Sequence, residues 1–310
     1  MITVSIVAYK TSIEEMSKCL QSLTSPLVST IYIVDNSNQK YIANFCMQYS
    51  NVVYIGSENV GYGAGHNKAL RQVLRTQEKY HLVLNSDVYF EASVLDHLVG
   101  YMETNPDVAQ VQPNVVYPNG EMQYTCRLLP TPANLIFRRF LPKKMVEKMN
   151  YRYTLQFNDH KKEMNIPYHQ GSFMFFRLEC FEKVGLFDER FFMYPEDIDI
   201  TRRMHKYYRT MFIPDETIVH AHRAASYKSR KMLKIHITNM IKYFNKWGWI
   251  YDKERSVWNK QLLKELVIAN IDNTNSEMSA TLAQIIVTEF DKDEDIKQLL
   301  KLEEWKWHDD

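Results

Sequence analysis

The chain has 310 residues, enough for one large domain with a smaller appendage. Its 45% apolar and 24% charged residues are the mix of a globular protein and exclude a disordered or fibrous chain. A formal net charge of +1 gives no electrostatic reason to expect a nucleic-acid partner.

Val4 to Ala8 predicts a strand that starts almost at once, with no basic head and apolar signal core before it. Ser12 and Glu15 have capping-box spacing and open a predicted helix with Met16, Cys19, Leu20 and Leu23 on one face. Thr30–Val34, Val52–Ile55 and His81–Leu84 predict three more strands, and Ala64–Arg75 a second helix. Strands alternating with helices at this spacing predict an α/β fold of βαβ units, its mostly parallel sheet covered on both faces. Val108 to Leu129 predicts further strands around a Pro118-Asn119-Gly120 turn. Residues 134–162 are basic, aromatic and helical in pattern, either an insertion over the site or a plain packing helix. Met211–Ile213 predicts a strand that stops at a Pro214-Asp215 turn, and helices follow from Met232, interrupted at Trp247-Gly248-Trp249. No run reaches the roughly 18 apolar residues of a membrane span. The four cysteines stand at no metal-ligand spacing, which points to buried thiols in a reducing, cytoplasmic setting.

Open parallel sheets bind ligands beyond the carboxyl ends of their strands. Asp35-Asn36, Asn59 to Asn67 and Asn85 to Asp87 all fall at such ends. Asp87 suits a hard divalent cation shared with phosphate oxygens, or a simple turn cap. Gly61, Gly63 and Gly65 let backbone amides approach phosphate or ribose, although strand-to-helix turns also use glycine for steric reasons. Glu196, Asp197 and Asp199 crowd the start of a predicted helix after Phe191-Phe192-Met193-Tyr194. They complement the helix dipole, and Asp197 is also placed to act as a general base. His220 and His222 alternate on an extended segment and so face one way, as ligands for a cation or diphosphate or as a surface pair.

Taken in order, these residues form a set. It runs Ser5-Ile6-Val7-Ala8-Tyr9, Val34-Asp35-Asn36-Ser37, Asn59 to Asn67, and Leu84-Asn85-Ser86-Asp87. Gly171-Ser172-Phe173-Met174, Phe187-Asp188-Glu189, Glu196-Asp197-x-Asp199 and His220 to Ser226 follow. The set resembles the family 2 glycosyltransferases of the GT-A fold, especially their bacterial rhamnosyltransferase-like branch, over about residues 1–230. The resemblance implies a GT-A catalytic domain over 1–228, with a donor half to about 110 and an acceptor half from about 111, then a helical region over 229–310. It implies inverting transfer of a sugar, first dTDP-rhamnose, from a nucleotide diphosphate donor to a glycan or lipid-linked acceptor in surface polysaccharide synthesis. Asp197 would be the base and Asp35 would contact the nucleobase. Tyr9, Asn59, Gly61, Asn67, Asn85 and Asp87 would line the donor pocket, and Gly171 and Glu196 would face the acceptor or sugar. Asp87 with His222, or with His220, would hold Mg²⁺ or Mn²⁺; the distance to Ser226 favours His222. Many members carry two aspartates in the metal motif, where this chain has one.

Two other classes compete. A sugar nucleotidylyltransferase would carry a glycine-rich basic loop after its first strand, where Tyr9-Lys10-Thr11-Ser12 has no glycine. A non-catalytic carbohydrate-binding protein on the same fold would be expected to lack Asp87 or Asp197, and both are present. Beyond residue 228, Lys228, Arg230, Lys231, Lys234, Lys242 and Lys246 surround apolar residues with Trp247, Trp249 and Tyr251. This pattern fits a peripheral contact with the inner face of a membrane, or packing against the catalytic domain or a second copy in a homodimer. The acidic segment Glu289 to Asp295 argues against the whole region lying on a membrane.

Overall fold

Strand β1 (Ile2–Ala8) sends Ile2, Val4, Ile6 and Ala8 to one core and Val7 to the other, as the period of two demands. The computed structural model describes residues 1–136, 141–221 and 230–273. The first βαβ units are α1 (Ile13–Gln21), β2 (Val28–Asp35), α2 (Lys40–Cys46), β3 (Val52–Gly56), α3 (Tyr62–Val73) and β4 (Tyr80–Leu84). Then come β5 (Val88–Tyr89), α4 (Ser93–Thr104), β6 (Val108–Val116), β7 (Cys126–Arg127), α5 (Pro132–Leu135) and α6 (Lys143–Tyr153). β8 (Met164–Asn165), β9 (Tyr168–His169), β10 (Phe173–Arg177), α7 (Cys180–Val184), α8 (Glu196–His205) and β11 (Arg209–His220) complete the sheets. Helices α9 (Arg230–Trp247) and α10 (Lys253–Asn273) end the described chain.

The sheet order is β3-β2-β1-β4-β10-β6-β11-β5. The first four strands are parallel, as the alternating pattern predicts. β10 then enters antiparallel between β4 and β6, β11 returns parallel to β6, and β5 closes the edge antiparallel to β11. Outside this sheet, β7 pairs with β9. Met16, Cys19 and Leu20 of α1, Ile42 and Phe45 of α2, and Leu95 and Leu98 of α4 cover one face. Ala69, Leu70 and Val73 of α3, with residues of α7 and α8, cover the other. Both faces are therefore dry, which is why the strands read as near-continuous apolar runs. The four cysteines are buried thiols.

Where β1 turns Thr3 and Ser5 inward, histidines satisfy them. Thr3 Oγ1 lies 2.8 Å from His81 Nδ1, and Ser5 Oγ lies 2.8 Å from His81 Nε2 and 2.7 Å from His66 Nδ1. Burial pushes the His81 imidazole down to about 3 and lowers His66 as well, so both rings are neutral.

The turn expected at Pro214-Asp215 is a bulge instead. β11 runs on to His220, and its register against β6 jumps from Ile213↔Pro113 to Thr217↔Asn114. Proline cannot donate to the ladder, so the strand loops out here and resumes its pairing. The resumption carries His220 alongside the edge strand β5.

By internal contacts, Met1–Ser256 forms one compact unit and Val257–Asp310 a second, of which residues 257–273 of α10 are described. Within the first unit, α9 is fastened by polar bonds. Asn239 donates to Met193 O at 3.0 Å, Lys242 to Arg190 O at 2.8 Å, and Trp247 Nε1 to Asp199 Oδ1 at 2.8 Å. Lys246 lies 2.6 Å from Asp199 and 2.8 Å from Asp188. Three members of the basic, aromatic face are thus bonded to Asp188, Arg190 and Asp199 of the same unit, while Trp249 and Tyr251 stay 36% and 92% exposed. Lys228 lies outside the described residues. Among the described residues, no helix is long and apolar enough to cross a membrane.

Candidate active site

The acidic helix start delivers three carboxylates to three different places. Asp199 is wholly buried, bonded to Arg203 at 2.9 Å and to α9, so it anchors helices. Asp197 is half-buried. Its Oδ1 accepts the Ile198 N–H at 2.8 Å and its Oδ2 the Gly171 N–H at 3.1 Å, with the Tyr168 hydroxyl 3.4 Å away. Behind Tyr168 stands Arg127, whose Nη1 donates to the Tyr168 hydroxyl at 3.4 Å. Burial pushes Asp197 up to about 6, while the Ile198 N–H, the Arg127 charge and the Gly171 N–H restrain it. Glu196 is 3% exposed and its Oε2 has no hydrogen-bond partner; burial and then the Asp197 charge push it well above the carboxylate range. The pair therefore ionises at Asp197 first, and Glu196 keeps its proton. A carboxylate ready to accept a proton and a neutral acid stand side by side.

Gly171 lies against the base itself. A Cβ there would stand 3.1 Å from Asp197 Cβ, so the missing side chain lets the backbone N–H close on the carboxylate. The Gly171 carbonyl takes the Tyr62 hydroxyl at 2.5 Å. Burial first, with the charges of Asp197 and Asp87 adding to it, raises the Tyr62 phenol well above its ordinary value. Next along the chain, Ser172 O accepts the Asn85 N–H at 2.9 Å and ties the end of β4 to this hub.

Asp87 is half-buried two residues beyond Asn85. The antiparallel pairing of β5 with β11 sets His220 opposite Val88, with His220 Nε2 3.4 Å from Asp87 Oδ1. Of the two histidines singled out in the sequence, His220 meets Asp87; His222 lies outside the described residues. Among the described residues no three His, Cys, Asp or Glu side chains form a ready metal cluster. Asp87 and His220 nevertheless fit an ion that takes its remaining ligands from phosphate oxygens and water, which is how Mg²⁺-type cations are commonly held.

Other donor-side candidates turn out to build the loops. Asp35 is fully buried, its oxygens taking Ser37 N and Oγ at 2.9 Å, Gln39 N at 2.6 Å and the Tyr54 hydroxyl at 3.2 Å. A nucleobase contact by this carboxylate requires one of those bonds to be exchanged. Asn67 is 1% exposed and clamps Phe187 through both its N–H and its C=O, with a further bond to Glu189. Asn59 is exposed, and its Oδ1 takes the Gly61 N–H at 3.3 Å. Gly61 has φ +97°, and a Cβ there would meet Phe192 O at 2.1 Å. The Tyr62 N–H donates to the same oxygen at 2.9 Å, so the glycine loop is bolted to the segment before Asp197. Tyr9 stands 52% exposed at the end of β1.

Sequence reading missed Arg127, Tyr168 and Gln123. They lie in stretches that read as turn and short strand, and only the β7–β9 pairing sets Arg127 beside Tyr168. No local pattern marks them.

The chain matches the family described as "Glycosyltransferase like family 2" over residues 2–269. It is 24% identical over 220 residues to the N-acetylglucosaminyl-diphospho-decaprenol L-rhamnosyltransferase of Mycobacterium tuberculosis, covering 66% of this chain and 70% of that protein. The low-salt glycan biosynthesis hexosyltransferase Agl10 of Haloferax volcanii is 29% identical over 207 residues, covering 65% and 61%. Rhamnosyltransferase WbbL of Escherichia coli is 25% identical over 185 residues, covering 56% and 65%. Among solved structures, GalNAc-T7 with UDP, GalNAc and Mn²⁺ aligns with a TM-score of 0.57 at 12% identity, over 80% of this chain and 50% of that one. S. aureus TarS 1–349 in complex with UDP-GlcNAc aligns at 0.55 and 13% identity, over 94% and 80%. The chain thus spans about half the GalNAc-T7 chain. These structures share its architecture, a GT-A sheet flanked by helices. With nearly the whole described chain inside the family match, the protein belongs to the family 2 glycosyltransferases.

Proposed function

We propose that this glycosyltransferase moves a hexose, with inversion, from a nucleotide diphosphate donor to a hydroxyl of a glycan or lipid-linked acceptor. The observation that carries the reading is the placement of Asp197. It is partly open and held by two backbone N–H groups, with a cationic Arg127 behind it and Asp87 near the same Tyr62. Asp197 takes the acceptor's hydroxyl proton as that oxygen bonds to the anomeric carbon. The bond to the diphosphate breaks, and its electron pair leaves with the phosphate oxygen. Neutral Glu196 is suited to donate a hydrogen bond to a sugar or acceptor oxygen without repelling the base. Much of the rate comes from holding donor and acceptor in line. Asp87 and a histidine of the His220/His222 pair would hold Mg²⁺ or Mn²⁺, which supplies electrostatic stabilisation of a leaving diphosphate.

Two relatives named rhamnosyltransferases support dTDP-rhamnose as the first donor to try. A lipid-linked acceptor fits a peripheral contact at the cytoplasmic membrane face, where the exposed Trp249-Ile250-Tyr251 turn would lie.

Thermal unfolding of the purified chain with dTDP, UDP and GDP, each with and without Mn²⁺, tests the reading. A ligand of the folded state at 100 times its Kd adds about 2.7 kcal/mol. One nucleotide should raise Tm, more so with Mn²⁺, and the metal-dependent part should vanish in Asp87→Ala. No shift with any nucleotide would sink the proposal.

A further inference from the structure

Gln123 is 6% exposed and sits at the foot of a tight hairpin. The hairpin is closed by Tyr117 N–H to Glu121 O at 2.7 Å and Gln123 N–H to Val115 O at 2.8 Å. The turn brings its amide under His220, and the two residues exchange two bonds. Gln123 Nε2 donates to His220 O at 2.6 Å and to Val116 O at 3.3 Å. Both partners are carbonyls, which only accept, so the amide can face only one way. Its oxygen is then the atom 3.0 Å from His220 Nδ1. An amide oxygen also only accepts, so Nδ1 must carry the ring proton. That leaves Nε2, the atom 3.4 Å from Asp87 Oδ1, as the ring nitrogen able to turn a lone pair toward a cation. A positive charge between this nitrogen and the carboxylate, whether a proton or a divalent cation, draws the two together.

We propose that Gln123 is a positioning residue that fixes the His220 tautomer and ring angle, so that Nε2 and Asp87 together form a seat for one divalent cation. The inference rests on the metal reading given above and deepens it. It chooses His220 over His222 and names the residue that makes the choice. Metal-bound histidines commonly donate their second nitrogen to such a partner, and its loss costs about 10- to 100-fold in affinity. A nitrogen ligand also favours a first-row transition ion over Mg²⁺.

Mn²⁺ alone is the probe, with free ion followed by electron paramagnetic resonance as the protein is titrated. Two substitutions separate positioning from mere packing. Gln123→Met keeps the volume and loses both bonds, and should weaken Mn²⁺ by about 10- to 100-fold. Gln123→Glu keeps an acceptor for the Nδ1 proton and should bind Mn²⁺ within a few-fold of the parent. A structural role alone predicts equal losses in both, because a carboxylate at this position forfeits the bond to His220 O as fully as a thioether does. If the parent itself binds no Mn²⁺, the metal reading falls. If the parent binds and Gln123→Met binds equally well, the Gln123 inference alone falls. Should Gln123→Met fail to fold, imidazole ¹⁵N spectra of the parent, assigned with His220→Gln, read the tautomer directly. Above the ring's titration range, a protonated Nδ1 with an unprotonated Nε2 supports the inference, and a protonated Nε2 with unprotonated Nδ1 overturns it.

Discussion

Removing the Arg127 charge while keeping its stem, as in Arg127→Met, should move the acid limb of the pH–rate profile upward. The guanidinium and the Asp197 carboxylate each lie 3.4 Å from the Tyr168 hydroxyl, so at most about 7 Å separates them. At an effective dielectric near 20, two unit charges at that distance attract by about 2 kcal/mol, which is between one and two pKa units. Asp197 is partly exposed to water, and screening brings the expected shift to about one unit. Burial already holds Asp197 at about 6, so the limb should move from about 6 to about 7. A base must be ionised to work, so the rate falls as pH drops through this value. The variant should lose about tenfold at pH 6 relative to its own plateau, against about twofold for the parent, and almost nothing at pH 8.5. Initial rates from pH 5 to 9 with the donor found by thermal shift measure this, with Asp197→Asn as the background. A limb that stays in place, or moves down, would refute the electrostatic account. A uniform loss at every pH would show instead that Arg127 positions substrate.

Two further outcomes follow from the buried groups and from the glycine loop. Burial holds His81 and His169 at about 3 and His205 at about 4, whereas unfolded histidines bind protons near pH 6.5. The sign is that of a depressed base: the stability is fully present above about pH 6.5 and falls as pH drops toward 3 to 4. Each neutral ring contributes a loss on the order of 2 kcal/mol by pH 5, partly opposed by the raised carboxyls of Glu196 and Asp197. Urea midpoints at pH 7 and pH 5 check this, and equal midpoints would contradict it. Gly61→Ala places a Cβ 2.1 Å from Phe192 O on a backbone at φ +97°. It should cost about 2 kcal/mol or more and weaken nucleotide binding, since the loop must leave its bolt on the Asp197 segment. A variant with parental Tm and parental nucleotide shifts would show that this bolt is dispensable.

The parallel half of the fold was legible because its signals are local. An apolar run of five residues, a Ser12 cap and a glycine-rich turn each act within one element, and β1 to β4 follow from them. The positions of Asp87 and Asp197, at a strand end and a helix start, were legible for the same reason. Local pattern could not give partners. It did not reveal that β10 would enter the sheet antiparallel, nor that β11 would bulge at Pro214 and continue to His220. Asp35, Asn67 and Asp199 look alike in sequence to residues that face a ligand, yet each is buried among bonds inside the protein. Arg127 and Tyr168 are 41 positions apart, and Gln123 and His220 are 97 apart. Hydrophobic periodicity reports which face of an element is dry, a property that neighbours along the chain decide. Which carboxylate stays ionised, and which imidazole nitrogen carries the proton, depends on donors and charges brought in by distant strands, and only the packed sheet supplies those.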